Sequence, residues 1–151
     1  MPIRPETRAL YPFDWRQLSH SIRFRRAGGK CERCGRPHAA QVAQLPQGQW
    51  WDAAAGCWRD ERGRKVRLPP IEVVAAMAPP LLGFAASPPY AWRRVVLATA
   101  HLDHDPTNNT ARNLAALCGR CHLAHDRPEH RRRRLATLRS RRAVGDLFAR
   151  G

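Results

Sequence analysis

Apolar positions divide the chain into two patterned ends and a looser middle. After Asp14, which is placed to cap a helix, Trp15, Leu18 and Ile22 recur at helical spacing until Gly28 and Gly29 stop the repeat. Residues 1–13 carry no such period and are expected to form an extended arm. Over residues 50–66 short apolar runs with Trp50, Trp51 and Trp58 alternate with turn residues, which predicts a β-hairpin with the tryptophans packing it. Proline pairs at Pro69-Pro70, Pro79-Pro80 and Pro88-Pro89 then punctuate an irregular excursion. Order returns with Val95, Val96 and Leu97 as a strand, a turn-rich loop over residues 105–110, a return strand over residues 114–117, and a helix beginning at residues 122–126. From Arg127 the apolar anchors thin to Leu135, Leu138 and Val144, which predicts a basic helix interrupted near Gly145.

The pattern implies an α+β fold in a single domain over residues 1–151. Residues 14–36 supply a helix and a first cysteine knuckle, residues 37–92 an insertion, residues 93–126 a strand-loop-strand-helix unit, and residues 127–151 a basic tail.

Composition changes this picture in two ways. The apolar fraction of 43% is ordinary, but the 13 prolines and many alanines imply a thin core that needs a cross-link or a metal. Lys plus Arg number 27 against 12 Asp plus Glu, a formal charge of +15 that costs self-repulsion unless a polyanion screens it. Only Lys30 and Lys65 are lysines; the arginine fork suits phosphate oxygens, although a GC-biased genome accounts for part of the preference for Arg over Lys. The basic run of the tail fits a solvated face as well as a phosphate-contacting one. No apolar run is long enough to cross a bilayer and the N-terminus lacks a signal-like stretch, so no membrane partner and an intracellular, cytoplasmic location are expected.

In a reducing compartment the five cysteines read as metal chemistry. Cys31 with Cys34 and Cys118 with Cys121 form two C-x-x-C pairs, each with a glycine beside it. Four thiolates fill the tetrahedral shell of a structural zinc ion and leave no open position for water. Such an ion would join the first knuckle to residues 93–126 across the insertion. Cys57 has no partner spacing and is expected to be a spectator.

The densest chemistry follows the strand at Val95, Val96 and Leu97. His101, Asp103 and His104 lie at its end, Asn113 stands before the return strand, and His122 follows the second cysteine pair. His101, Asp103, Asn108, Asn109, Asn113 and Leu114, with the ending Cys118, Cys121 and His122, resemble the HNH (ββα-metal, or His-Me finger) endonucleases in order and spacing. Tyr11, Pro12, Asp14 and Trp15 and the first knuckle are similar to the zinc-bearing phage and bacterial branch. The likeness covers residues 11–36 and 93–128 and leaves the insertion outside.

That resemblance implies single-metal hydrolysis of double-stranded DNA, nonspecific or at short sites, of phage or bacterial defence type. By it, His101 is the general base, His122 a ligand to a catalytic divalent ion such as Mg2+ or Mn2+, and Asn113 fixes the loop that aims His101. The chain departs from the family at Ala100, where an Asp or His usually gives the second metal ligand. Either Asp103 or His104 replaces it, or the register shifts so that Asp103 is the ligand and His104 the base, or activity is lost. His125 and Asp126 could hold a ligating imidazole but fit a plain helix surface better, and His20, His38 and His130 belong to no constellation. The rival expectation is a zinc-ribbon nucleic-acid-binding protein without catalysis, for which the same cysteines and arginines suffice. A structural or interaction role for the insertion is a distant third.

Overall fold

The computed structural model describes residues 5–77 and 88–148, the side chains of residues 5, 6 and 143–148 excepted. Pro79-Pro80 therefore lies outside the described residues. The fold is α+β, built from two antiparallel sheets with helices packed on each.

The expected extended arm instead contains a 3-10 turn at Pro5–Leu10. Helix α1, Trp15–His20, follows, with the carbonyl of Asp14 accepting from the amides of Gln17 and Leu18 while its carboxylate makes no cap. The chain then widens into a π-helical turn at Ser21–Arg26, and the stop comes at Gly28 and Gly29, both in the left-handed region. Trp15, Leu18 and Ile22 share one face, which packs on Leu114 and Ala116. Arg26 pins this segment by bonding the Glu32 carboxylate and the carbonyls of Ala111 and Leu114.

Residues 37–92 hold more than a hairpin. Strands β1 (Gln41–Gln44), β2 (Trp50–Asp52), β3 (Cys57–Arg59), β4 (Lys65–Val66) and β5 (Ala91–Arg94) form one sheet in the order β4-β3-β2-β1-β5. The predicted hairpin is β2 and β3 with Trp51 opposite Trp58, and β5 pairs with β1 so that Val42 faces Arg93. Arg93 and Arg94 thus belong to the sheet of the insertion. Trp50 and Trp58 are buried, and the Trp58 indole donates to the Pro69 carbonyl at 2.8 Å. A short helix α2, Ile71–Ala76, closes this sheet by seating Val74 against Ala43 and Trp58, where the prolines had implied irregular chain.

The second sheet is a hairpin of β6 (Leu97–His101) and β7 (Leu114–Cys118), in register from Leu97 opposite Cys118 to His101 opposite Leu114. The strand begins at Leu97, two residues later than its pattern suggests, because the buried Val95 forms the corner between the two sheets through backbone bonds to Ala39 and Ala40. With side chains alternating, Thr99 and His101 face α1, where Thr99 meets Ser19 at 2.9 Å. Ala100 points the other way, into a cluster with Leu97, Leu117, Cys118 and Cys121.

Helix α3, Gly119–Phe148, starts on the residue after β7 and runs for 30 residues. It passes Gly145 without the expected interruption and carries Pro128 in its interior, where the ring removes one backbone donor. Cys121 and Asp126 are buried against the hairpin, but residues 130–142 are exposed throughout, so the basic stretch is an unpacked arm. No helix among the described residues is long and apolar enough to cross a membrane.

Candidate functional site

The knuckle forms because Gly35, with φ of 76°, lets the chain turn back so that its amide reaches the Cys31 carbonyl and the Cys31 amide reaches Arg36. The end of β7 brings Cys118 alongside, its amide 3.3 Å from the Cys31 sulfur. All four cysteines are buried and their sulfurs lie within 4.8 Å of one another. Cys34 and Cys118 sulfurs are 3.7 Å apart, and zinc–sulfur bonds of about 2.3 Å in a tetrahedron need about 3.8 Å. The four residues therefore form a site that fits a structural zinc ion. Sulfurs this close cannot all ionise alone: hydrogen bonds from Cys118 above all hold Cys31 far down, whereas Cys118 pushes Cys121 far up. A bound cation removes that conflict by taking four thiolates at once.

Arg36, counted in the sequence only toward net charge, belongs to this centre. It is 2% exposed, donates from Nη1 to the Cys34 sulfur at 3.2 Å and from Nη2 to the Gly48 carbonyl at 2.9 Å, and lies over the Trp50 ring. Gly63 shows how closely the insertion approaches the knuckle: a Cβ there would sit 2.8 Å from the Cys34 carbonyl oxygen.

A second cluster forms where the loop after β6 meets the first turns of α3. His122, His125 and Asp126 stand at i, i+3 and i+4 and so share one helix face. His104 reaches them from the loop with φ of 63°, a strained conformation that histidine tolerates better than most residues. Its Nδ1 lies 3.5 Å from Asp126 Oδ1, and His122 Nε2 lies 3.4 Å from Asp126 Oδ2. These separations are long for charge-assisted hydrogen bonds but match the spacing of about 3.3 Å between donors that share one cation at 2.0–2.1 Å. His104, His125 and Asp126 bring three ligand atoms within 4.8 Å of one another. The rings of His104 and His125 stack at 4.5 Å. His125 Nε2 faces the His101 carbonyl at 3.3 Å, and since a carbonyl only accepts, Nε2 is the donor. Burial holds the His122 imidazole below its ordinary value, despite the opposing pull of Asp126, and so keeps it neutral.

The other expected residues are placed differently. The Asp103 carboxylate accepts from the Asp105 amide and from the side-chain amides of Asn113 and Asn108. Those bonds, the Asp105 amide first, hold its acid down to about 2. Asn113 also accepts from the Asp103 amide, so this pair braces the loop. His101 stacks on Trp15 with ring centroids 5.3 Å apart and touches Tyr11. Its Nε2 is 3.0 Å from Asn109 Oδ1; because the Asn109 amide nitrogen donates to the Pro106 and Thr107 carbonyls, the ring donates here from Nε2. His104 and His122 thus meet at Asp126, while the His101 ring lies on the α1 side of the hairpin. Ala100 is 1% exposed and contributes only packing.

His125 and Asp126 were expected on a plain helix surface, yet Asp126 is buried and both face His104. Their spacing from His122 is the sequence signal, and its meaning depends on the loop that brings His104 over. No protein-family model matches this chain, and no curated protein and no solved structure matches it.

Proposed function

We propose that the chain is a metal-dependent DNA endonuclease of the ββα-metal type, stapled by a structural zinc ion. The observation that carries this reading is the gathering of His104, His122, His125 and Asp126 between the hairpin loop and the start of α3. Imidazoles beside a carboxylate suit Mn2+, Co2+, Ni2+ or Zn2+ better than Mg2+, which prefers oxygen ligands. An ion bound there would supply Lewis-acid stabilisation of the charge that develops at the phosphate. His104, His125 and Asp126 would hold it, with His122 beside Asp126, which makes up for the ligand absent at Ala100. The family resemblance assigns proton transfer from water to His101, whose ring, held by Asn109 and Trp15, lies on the α1 side of the hairpin and not beside these donors, and the Asp103–Asn113 brace keeps the loop ordered.

Nicking of supercoiled plasmid in the presence of Mn2+ or Mg2+ tests the proposal. His101→Ala should abolish nicking and leave zinc content and DNA affinity near those of the wild type. Absence of cleavage by the zinc-loaded wild type in every divalent ion tried would refute it. The position of Ala100 and the packing of His101 against Trp15 favour a second reading, a zinc-ribbon nucleic-acid-binding protein without catalysis. That reading stands if DNA binds uncut and triple replacement of His101, His104 and His122 changes nothing.

A further inference from the structure

Across α3 from the histidine cluster lies a cavity of about 500 Å3 bounded by the zinc knuckle, the β5 edge strand and the first turns of the helix. Six arginines line it, Arg33, Arg36, Arg93, Arg94, Arg120 and Arg127, against one acid, Glu61. Glu61 is spent on Arg120 and Arg36 on the Cys34 sulfur. Arg33, Arg93, Arg94 and Arg127 make no ion pair among the described residues. Cys118 and Cys121 also line the hollow, but the four guanidinium groups without an acidic partner repel one another until an anion enters.

One further feature lies at the cavity wall: the buried Nε of Arg36 has no hydrogen-bond partner among the described residues. At the rim Val96 and Leu123, each 57% exposed, add apolar surface beside the charges. Such a mixture suits a sugar-phosphate chain better than a lone inorganic anion, for which the volume is also too large.

Helix geometry separates this cavity from the histidines. Arg120, Leu123, Ala124 and Arg127 follow i, i+3, i+4 and i+7, whereas His122, His125 and Asp126 fall on the opposite stripe. We infer that the cavity binds the phosphodiester backbone of DNA at a place remote from the bond being cut, so that the first turns of α3 lie between two backbone segments. The inference rests on the nucleic-acid part of the proposed function and is independent of cleavage.

The test is fluorescence anisotropy of a short DNA duplex over a salt series, with zinc-loaded protein and no added divalent ion. Arg93→Gln/Arg94→Gln/Arg127→Gln is compared with Lys65→Gln/Arg67→Gln/Arg112→Gln, which removes equal charge from exposed positions outside the cavity. Losing three phosphate contacts should make the slope of log K against log salt shallower by about 2.7 and weaken binding about tenfold or more at moderate salt. The control variant should keep nearly the wild-type slope. An unchanged slope in the cavity variant, or equal losses in both variants, would overturn the inference, as would displacement of DNA from the wild type by a mononucleotide at matched ionic strength. Wild-type protein that binds DNA with the expected variant pattern but never nicks it would refute the nuclease and leave this site standing; wild-type protein that binds no DNA would refute both.

Discussion

Replacement of Arg36 by methionine isolates what one buried guanidinium does for the metal centre. Four thiolates around a divalent ion carry a net double negative charge, and the cysteines concerned are 0 to 3% exposed. Arg36 is the one cationic side chain hydrogen-bonded to any of these sulfurs among the described residues. Methionine keeps much of the volume against Trp50 and deletes the charge and the donors to Cys34 and Gly48. A hydrogen bond to a charged group is worth about 1.5–3 kcal/mol. Partners that support metal ligands shift affinity by about 10- to 100-fold, which is about 1.4–2.8 kcal/mol. The two figures agree, so the variant should bind zinc about 10- to 100-fold more weakly in competition with a chromophoric chelator. Arg36→Lys should recover only part of the loss, because a point charge cannot reach the sulfur and the Gly48 carbonyl together. Zinc affinity of Arg36→Met equal to that of the wild type would show that the buried charge is balanced by something other than this side chain.

Stripping the metal tests the staple itself. Structural zinc contributes about 10–16 kcal/mol where a whole domain holds about 5–15 kcal/mol, so the chelated chain should lose its far-ultraviolet circular dichroism and regain it with added zinc; melting at the same temperature with and without zinc would contradict this. The His122 pKa is lowered by burial, so the unfolded chain binds its proton first and stability falls as the medium is acidified. The loss sets in as pH drops past about 6.5 and is complete below the lowered value; urea midpoints of zinc-loaded protein with no other divalent ion added should decline over this range less in His122→Phe than in the wild type, and parallel curves would rule His122 out as the source. Trp58→Ala empties the cluster that Trp58 forms with Ala43 and Val74 between the five-stranded sheet and α2 and should cost about 3–5 kcal/mol in denaturant unfolding; a cost under about 1 kcal/mol would mean that this sheet adds little to the cooperative unit.

The elements that a one-dimensional pattern can encode were the ones legible in the sequence. Trp15, Leu18 and Ile22 mark α1 and the turn after it, the tryptophans mark β2 and β3, and the spacing of four cysteines reveals a metal site whose sulfurs do converge. Strands β1 and β5 escaped because neither has a readable alternation: β5 is exposed at every residue, and its partner lies about fifty positions away. Helix α2 was hidden by Pro69 and Pro70, which read as chain breakers although Pro70 serves as its N-cap. In the site, His104 and His122 were legible as residue types, but the destination of each ring was not. That depends on a left-handed backbone at His104 and on which side of a two-residue strand alternation His101 falls, both properties of the folded loop.

The four-cysteine site and the histidine cluster are mechanically one device. Strand β7 ends at Cys118 and α3 begins at Gly119, so no linker separates sheet from helix. Cys121 is then held by the first knuckle one residue before His122, and a helix fixed at that point has its rotation about its own axis fixed too. That rotation sends His122, His125 and Asp126 toward His104 and sends Arg120, Leu123 and Arg127 toward the arginine-lined cavity. The small side chains of Ala100 and Ala116 let the hairpin sit between α1 and this helix without spreading them. A bulkier side chain at position 100 would have to share the space now filled by Leu117, Cys118 and Cys121. Position 100 therefore serves packing, and the side chains that meet at Asp126 come from the loop and the first turns of α3 instead.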